Sequence, residues 1–139
     1  MSHMERFGVS MPPDLLRQFD AAIETRGYTN RSEAIRDIVR DFLVERRWDS
    51  DDAEVIGTIT LVYDHHQHDL TEQLTDLQHQ FHAAIISTLH VHLDYHHCLE
   101  VLVVRGTAGA VRTLANRLLS TRGVKHGKLT ATTTGENLA

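Results

Sequence analysis

At 139 residues, 41% hydrophobic and 24% charged, the chain suits one globular domain of ordinary size, or two small ones that gain stability by association. No apolar run approaches the roughly 20 residues of a membrane span, no signal peptide is visible, and one cysteine excludes an internal disulfide, so a reducing, cytoplasmic setting is expected. The net charge of −5 gives no bulk attraction to nucleic acid, and residues 5–48 carry eight arginines against eight acids.

The opening "MSHM" reads as an expression-tag remnant, so His3 is set aside. In "RFGVSM" (6–11), Phe7, Val9 and Met11 alternate with Arg6, Gly8 and Ser10, the pattern of a short strand with one wettable face. "PPDLLRQFDAAIETRG" predicts a helix that tolerates prolines in its first turn, carries Leu15, Leu16, Phe19, Ala22 and Ile23 on one stripe, and stops at Gly27. Asn30 and Glu33 have capping-box spacing before a second amphipathic helix with Ile35, Ile38, Val39, Phe42 and Leu43. Strand, helix and helix cannot make an adequate core in about 40 residues, and a lone strand leaves both edges unpaired. Two copies solve both problems by pairing their strands into a ribbon of a size that enters the DNA major groove. An obligate dimer is expected, over residues 5–48.

"WDSDDAE" at 48–54 reads as an acidic linker. Beyond it come a strand in "VIGTITLVY", a helix in "DLTEQLTDLQHQF", strands in "IISTLHVHL" and "LEVLVV", a helix in "AGAVRTLANRLLSTRG" and a strand in "KLTATT". The order βαββαβ over residues 53–134 is that of a ferredoxin-like sandwich, which makes the whole chain α+β.

Histidine is the informative bias. Of eleven, none lies between Met4 and Asp64, and nine lie between His65 and His97. "LHVHLDYHHCLE" (89–100) holds four of them and the only cysteine. Alternation puts Leu89, Val91 and Leu93 on one strand face, expected to be the core, and His90 and His92 on the other. On the next strand Leu99, Val101 and Val103 are the apolar set, so the hairpin register must bring Val91 near Leu99, and that register sets His92 beside Cys98. Two imidazoles and a thiol then share one patch with Glu100. That donor set suits Zn, Cu or Ni; planar geometry would select Ni(II) or Cu(II), tetrahedral geometry Zn(II), and spacing alone does not decide.

"RGYTNRSEAIRD" (26–37), "STLHVHLDYHHCLE" (87–100) and "RGVKHGKL" (122–129) together resemble the NikR family of nickel-responsive transcriptional repressors, from about Arg6 to Leu129. The resemblance implies a ribbon-helix-helix DNA-binding domain joined to an ACT-type domain, assembled as a homotetramer. It implies a planar Ni(II) site, one per subunit, with ligands matching His90, His92 and Cys98 of one subunit and His79 of a neighbour. Glu100 matches a carboxylate that orients the ligands, and Tyr63 and Gln78 match positions around the same site. Arg6, Gly8 and Ser10 match the outward ribbon positions that read bases, with Gly8 departing from members that carry a side chain there. Asn30 and Arg31 match a phosphate clamp at the second helix's N-terminus, where Asn30 also reads as an ordinary cap. Glu33 and Asp37 match a second cation site, against pairing with nearby arginines, and His65 matches a residue that joins alternative metal sites. The expected function is nickel-dependent repression through a palindromic operator of double-stranded DNA, with no catalysis and no membrane. The rivals are a regulator of another metal (Cu, Zn or Co), a zinc enzyme using the His/Cys site, an antitoxin, and an amino-acid sensor.

Overall fold

The computed structural model describes residues 3–139. The chain divides into two compact units, Met1–Asp41 and Phe42–Ala139.

In the first unit, α1 runs over Pro13–Thr25. Pro12 and Pro13 stand where amides would find no intrahelical acceptor, so their missing N–H groups cost nothing. The helix closes as the sequence predicts. Gly27 takes φ +92°, its amide donates to Glu24 O (3.0 Å), and Tyr28 N donates to Ile23 O (3.0 Å). Helix α2 spans Arg31–Trp48, and its residues 31–41 belong to this unit. Asn30 Oδ1 accepts from Glu33 N at 2.9 Å, the expected cap. The strand predicted at 6–11 is not formed: residues 3–12 have no regular structure. A strand is stabilised by its ladder, and a single copy of this unit supplies no partner strand. Phe7, Val9, Leu15 and Ile38 are all exposed, and among the described residues of this unit Ala34 alone of the apolar side chains is buried.

The second unit realises the βαββαβ order: β1 (Glu54–Asp64), α3 (Leu70–Gln80), β2 (Ile85–His92), β3 (His97–Thr107), α4 (Ala108–Leu119) and β4 (Val124–Thr132). The sheet order is β2-β3-β1-β4, with every neighbouring pair antiparallel. Both helices pack on one face, enclosing Ile59, Leu61, Leu70, Leu74, Leu102, Val104, Val111, Leu114 and Leu118. Thr107 caps α4 by accepting from Ala110 N.

Trp48, at the start of the stretch expected as linker, is buried in this core and donates Nε1–H to Thr132 O at 3.1 Å. Gly57 makes room for it: a Cβ there would stand 3.1 Å from the indole ring and 2.7 Å from Thr130 O. The acidic residues that follow are also tied to the sheet unit. Asp51 O accepts from Gly109 N (3.0 Å), Ala53 O from Ala108 N (2.8 Å), and Arg112 pairs with the Asp51 carboxylate.

The hairpin register is as predicted, with Val91 opposite Leu99 and His92 opposite Cys98. The assignment of its faces is reversed. Cys98, Glu100, Leu102 and Val104 point under the helices and are buried, whereas Leu99, Val101 and Val103 are half-exposed and Leu89, Val91 and Leu93 are exposed. The parity comes from β1, where Tyr63, Leu61 and Ile59, all buried, lie opposite Cys98, Glu100 and Leu102. "LEVLVV" is apolar at both parities over 101–104, so the strand alone does not choose a side. The histidine face is therefore continuous with the helix-covered core, and the opposite sheet face is left apolar and bare.

Candidate metal centre and nucleic-acid interface

The centre lies where β3 passes under the C-terminal end of α3. Cys98 is 2% exposed and Glu100 1%, an unusual depth for a carboxylate. Burying that charge is tolerable only with donors around it. Tyr63 OH donates to Oε2 at 2.7 Å and Gln78 Nε2 donates to Oε1 at 2.6 Å. Burial, and then the hydrogen bond to Glu100, push the Tyr63 hydroxyl well above the ordinary tyrosine range, so it remains a proton donor at any physiological pH.

His90 stands between the two buried groups. Its Nε2 lies 3.5 Å from Glu100 Oε1, and its Nδ1 lies 4.0 Å from Cys98 Sγ. A carboxylate on one ring nitrogen fixes the other as a lone pair, which is how imidazoles are set up to ligate. Metal–nitrogen and metal–sulfur bonds of about 2.0 and 2.3 Å can bridge a nitrogen and a sulfur up to about 4.3 Å apart, so the gap at His90–Cys98 admits an ion. The donor chemistry fits a borderline divalent metal as well.

His92, opposite Cys98 in the ladder, turns its ring edge-on to His65, with centroids 5.1 Å apart. His79 is exposed on the last turn of α3, one residue after Gln78, which reaches inward to Glu100. About 100° separates consecutive side chains on a helix, so one can serve the buried carboxylate while the next faces outward. The four predicted ligands are not within mutual ligating distance in the single chain. Among the described residues, the one group of three or more ligand atoms within 4.8 Å of one another is Asp64, His66 and His96. Sequence reading missed this trio as a group. Its signal was the topology: "DHH" at the end of β1 and "DYHH" at the start of β3 lie at the same end of two paired strands.

His65 packs between His66 and His92, and its Nδ1 is buried with no hydrogen-bond partner. Desolvation, and then the neighbouring His66 and His92 rings, hold its pKa below the ordinary histidine value.

On the first unit, Arg6, Gly8 and Ser10 are exposed, and a Cβ added at Gly8 would meet nothing within 4 Å. Arg31 is engaged: Nε and Nη2 donate to the two Asp20 oxygens at 2.8 Å each, a bidentate pair that a phosphate would have to displace. That guanidinium keeps the Asp20 carboxyl below its usual range. Asp37 accepts from Tyr28 OH on one oxygen and from Arg40 Nη1 (2.7 Å) on the other. Both oxygens of this predicted cation ligand are thus occupied within the chain. The backbone amide of Glu33 is taken by Asn30.

A model of the NikR C-terminal nickel-binding domain matches residues 56–132, and one of the CopG-type ribbon-helix-helix proteins matches residues 5–46. The chain is 59% identical over 138 residues to a protein of Solibacter usitatus, covering 99% of each. It is 56% identical over 133 residues to one of Pyrococcus furiosus, covering 96% of each; both relatives are named "Putative nickel-responsive regulator". The chain belongs to the NikR family. This is a family of nickel-responsive transcription regulators with a ribbon-helix-helix DNA-binding domain, and not of enzymes. A solved structure of an uncharacterized protein from Thermotoga maritima matches with a TM-score of 0.51 at 18% identity, covering 56% of this chain and 96% of that one, a likeness of fold alone. Among the described residues, no helix is long and apolar enough to cross a membrane.

Proposed function

We propose that the chain is a nickel-dependent repressor that works as a homotetramer. Each subunit holds one Ni(II) through His90, His92 and Cys98, completed by His79 of a neighbouring subunit. The observation that carries this reading is His90, whose two ring nitrogens address the Cys98 thiol and the buried Glu100 carboxylate. A thiol sequestered at such depth gains a partner from a metal ion, and the buried Glu100 carboxylate beside it holds the His90 ring in position to ligate.

The assembly is supported by surfaces that a single copy leaves bare. Phe7 and Val9 are exposed along the segment that needs a ribbon partner. Leu89, Val91 and Leu93 are exposed on the uncovered sheet face. Paired ribbons would read the two halves of a palindromic operator, with Arg6 and Ser10 at base edges and Asn30 and Arg31 at phosphates. A metal that binds across subunits is tight only in one arrangement of them. Its value as a switch equals its differential affinity for the DNA-competent arrangement. The genes repressed are then those of nickel uptake.

Gel-shift titration with operator DNA at fixed salt tests this. Nickel at one ion per chain raises affinity by a factor of roughly 100, about 2.7 kcal/mol. The same affinity with and without nickel would overturn the reading.

A further inference from the structure

We infer that the sheet unit carries a binding site for a small carboxylate with a short branched aliphatic tail, at the end of β1 away from the metal centre. A cavity of about 350 Å³ opens there, lined entirely by residues of Phe42–Ala139. It lies where Ile56 of β1 pairs with Arg105 of β3 on one side and Thr132 of β4 on the other. That volume stands at the small end of the roughly 300 to 1,000 Å³ of small-molecule sites. Its walls are chemically divided. Val44, Val55, Ile56 and Leu138 supply apolar surface, and Arg47 and Arg105 supply two guanidiniums.

Glu54 ties both guanidiniums to one wall. Its main-chain oxygen accepts from Arg47 Nε at 2.8 Å, and its carboxylate stands 3.6 Å from Arg105 Nε. Among the described residues, no acceptor takes the terminal nitrogens of Arg47. A guanidinium fixed through Nε and open at its ends is set to receive a carboxylate through paired N–H groups. The Glu54–Arg105 pair is exposed, so opening it to a second carboxylate costs little. Residues 133–138 form a further wall by folding back. The Thr133 and Thr134 hydroxyls accept from Gly135 N (3.0 Å) and Glu136 N (3.3 Å), and Gly135 (φ +87°) and Asn137 (φ +62°) bend the chain. These turns bring Leu138 and the Glu136 carboxylate to the cavity. Glu54 and Glu136 also offer a place for an ammonium group, so a plain fatty acid and an α-amino acid share the required chemistry. Helix α2, which supplies Val44 and Arg47, runs on through residues 31–41 of the first unit, which makes a bound carboxylate a second effector. That effector role rests on the proposed repressor reading; the site itself does not.

Calorimetry on the intact chain at neutral pH uses three matched probes: isocaproate, L-leucine, which adds an α-ammonium group, and isopentylamine, which lacks the carboxylate. The two carboxylates are expected to bind with a Kd of about 1 mM or tighter, and the amine roughly tenfold more weakly or worse. R105Q and, separately, Leu138→Asp should weaken the carboxylates by roughly tenfold. Both side chains lie outside the buried core, and an unchanged circular dichroism spectrum checks the fold. L-leucine binding clearly tighter than isocaproate assigns the site to an amino acid; equal or weaker binding assigns it to a plain carboxylate. Equal binding of isopentylamine, no binding of any probe, or binding untouched by both variants overturns the site. In gel shifts with nickel present, a saturating carboxylate should change operator affinity by about threefold or more, and no change overturns the effector role. Should operator binding itself be absent, the repressor reading fails, and calorimetry still decides the site.

Discussion

Between Phe42 and Ala139 the chain encloses a continuous core under two helices, whereas between Met1 and Asp41 Ala34 is the one buried apolar residue among those described. The two units have similar amphipathic patterning, so the contrast lies in topology. Four antiparallel strands satisfy each other's backbone and present a face that helices can cover. An unpaired segment and two helices do neither, which leaves Phe7, Val9, Leu15 and Ile38 exposed. The same contrast recurs within the sheet unit, whose helix-covered face is sealed while the opposite face keeps Leu89, Val91 and Leu93 exposed.

The comparison can be broken most forcefully in the sealed unit. Trp48→Ala removes the indole that covers Gly57 and its bond to Thr132 O, and is expected to cost about 3 to 5 kcal/mol, read as a loss of thermal stability. A change below about 1 kcal/mol would show that Trp48 does not belong to that core.

Glu100→Gln probes the centre with less disturbance of packing. It keeps the shape and removes the charge that faces His90 Nε2 at 3.5 Å. Nickel affinity should fall 10- to 100-fold, measured by competition with a chelator, while the unfolding midpoint moves much less. Equal losses in stability and affinity would mean that Glu100 serves the core alone.

The smallest expected effect is one of pH. Asp94 in the β2–β3 turn is held well below the usual carboxylate range by the His97 ring, then by the backbone amides of His97 and His96. A depressed folded-state value means that its contribution is present above the unfolded-state value of about 3.9 and is lost as pH falls through the folded one. Asp94→Asn should therefore slightly lower stability at neutral pH and flatten the acid limb below about pH 4, so that variant and wild type converge in strong acid.

Much of this was legible in the residues. The order of elements followed from periodicity, and the hairpin register from matching Val91 to Leu99, because a one-residue slip would exchange the faces of the strand. Which face met the helices was not legible. Val101, Leu102, Val103 and Val104 are apolar at both parities, and the decision came from pairing with Ile59, Leu61 and Tyr63 on a strand some 40 residues earlier. The 6–11 segment has the alternation of a strand, but its own unit offers no strand for it to pair with. Asn30 as a cap could be read from spacing, whereas the Arg31–Asp20 pair could not, since it depends on how α1 and α2 approach each other. The proposed part of His79 rests on the family resemblance; its exposure beside the inward-reaching Gln78 had no signal in the helical spacing.

The most direct test of a metal shared between subunits is complementation. His79→Ala and Cys98→Ala chains are each assayed for thiolate-to-nickel absorption and then refolded together. Each variant alone is expected to lack the absorption or to hold a weakened, altered form of it. The mixture should regain the wild-type band, because a His79→Ala chain keeps its cysteine and finds an intact His79 on its Cys98→Ala neighbour. A mixture that gives only the sum of its parts would contradict the shared site.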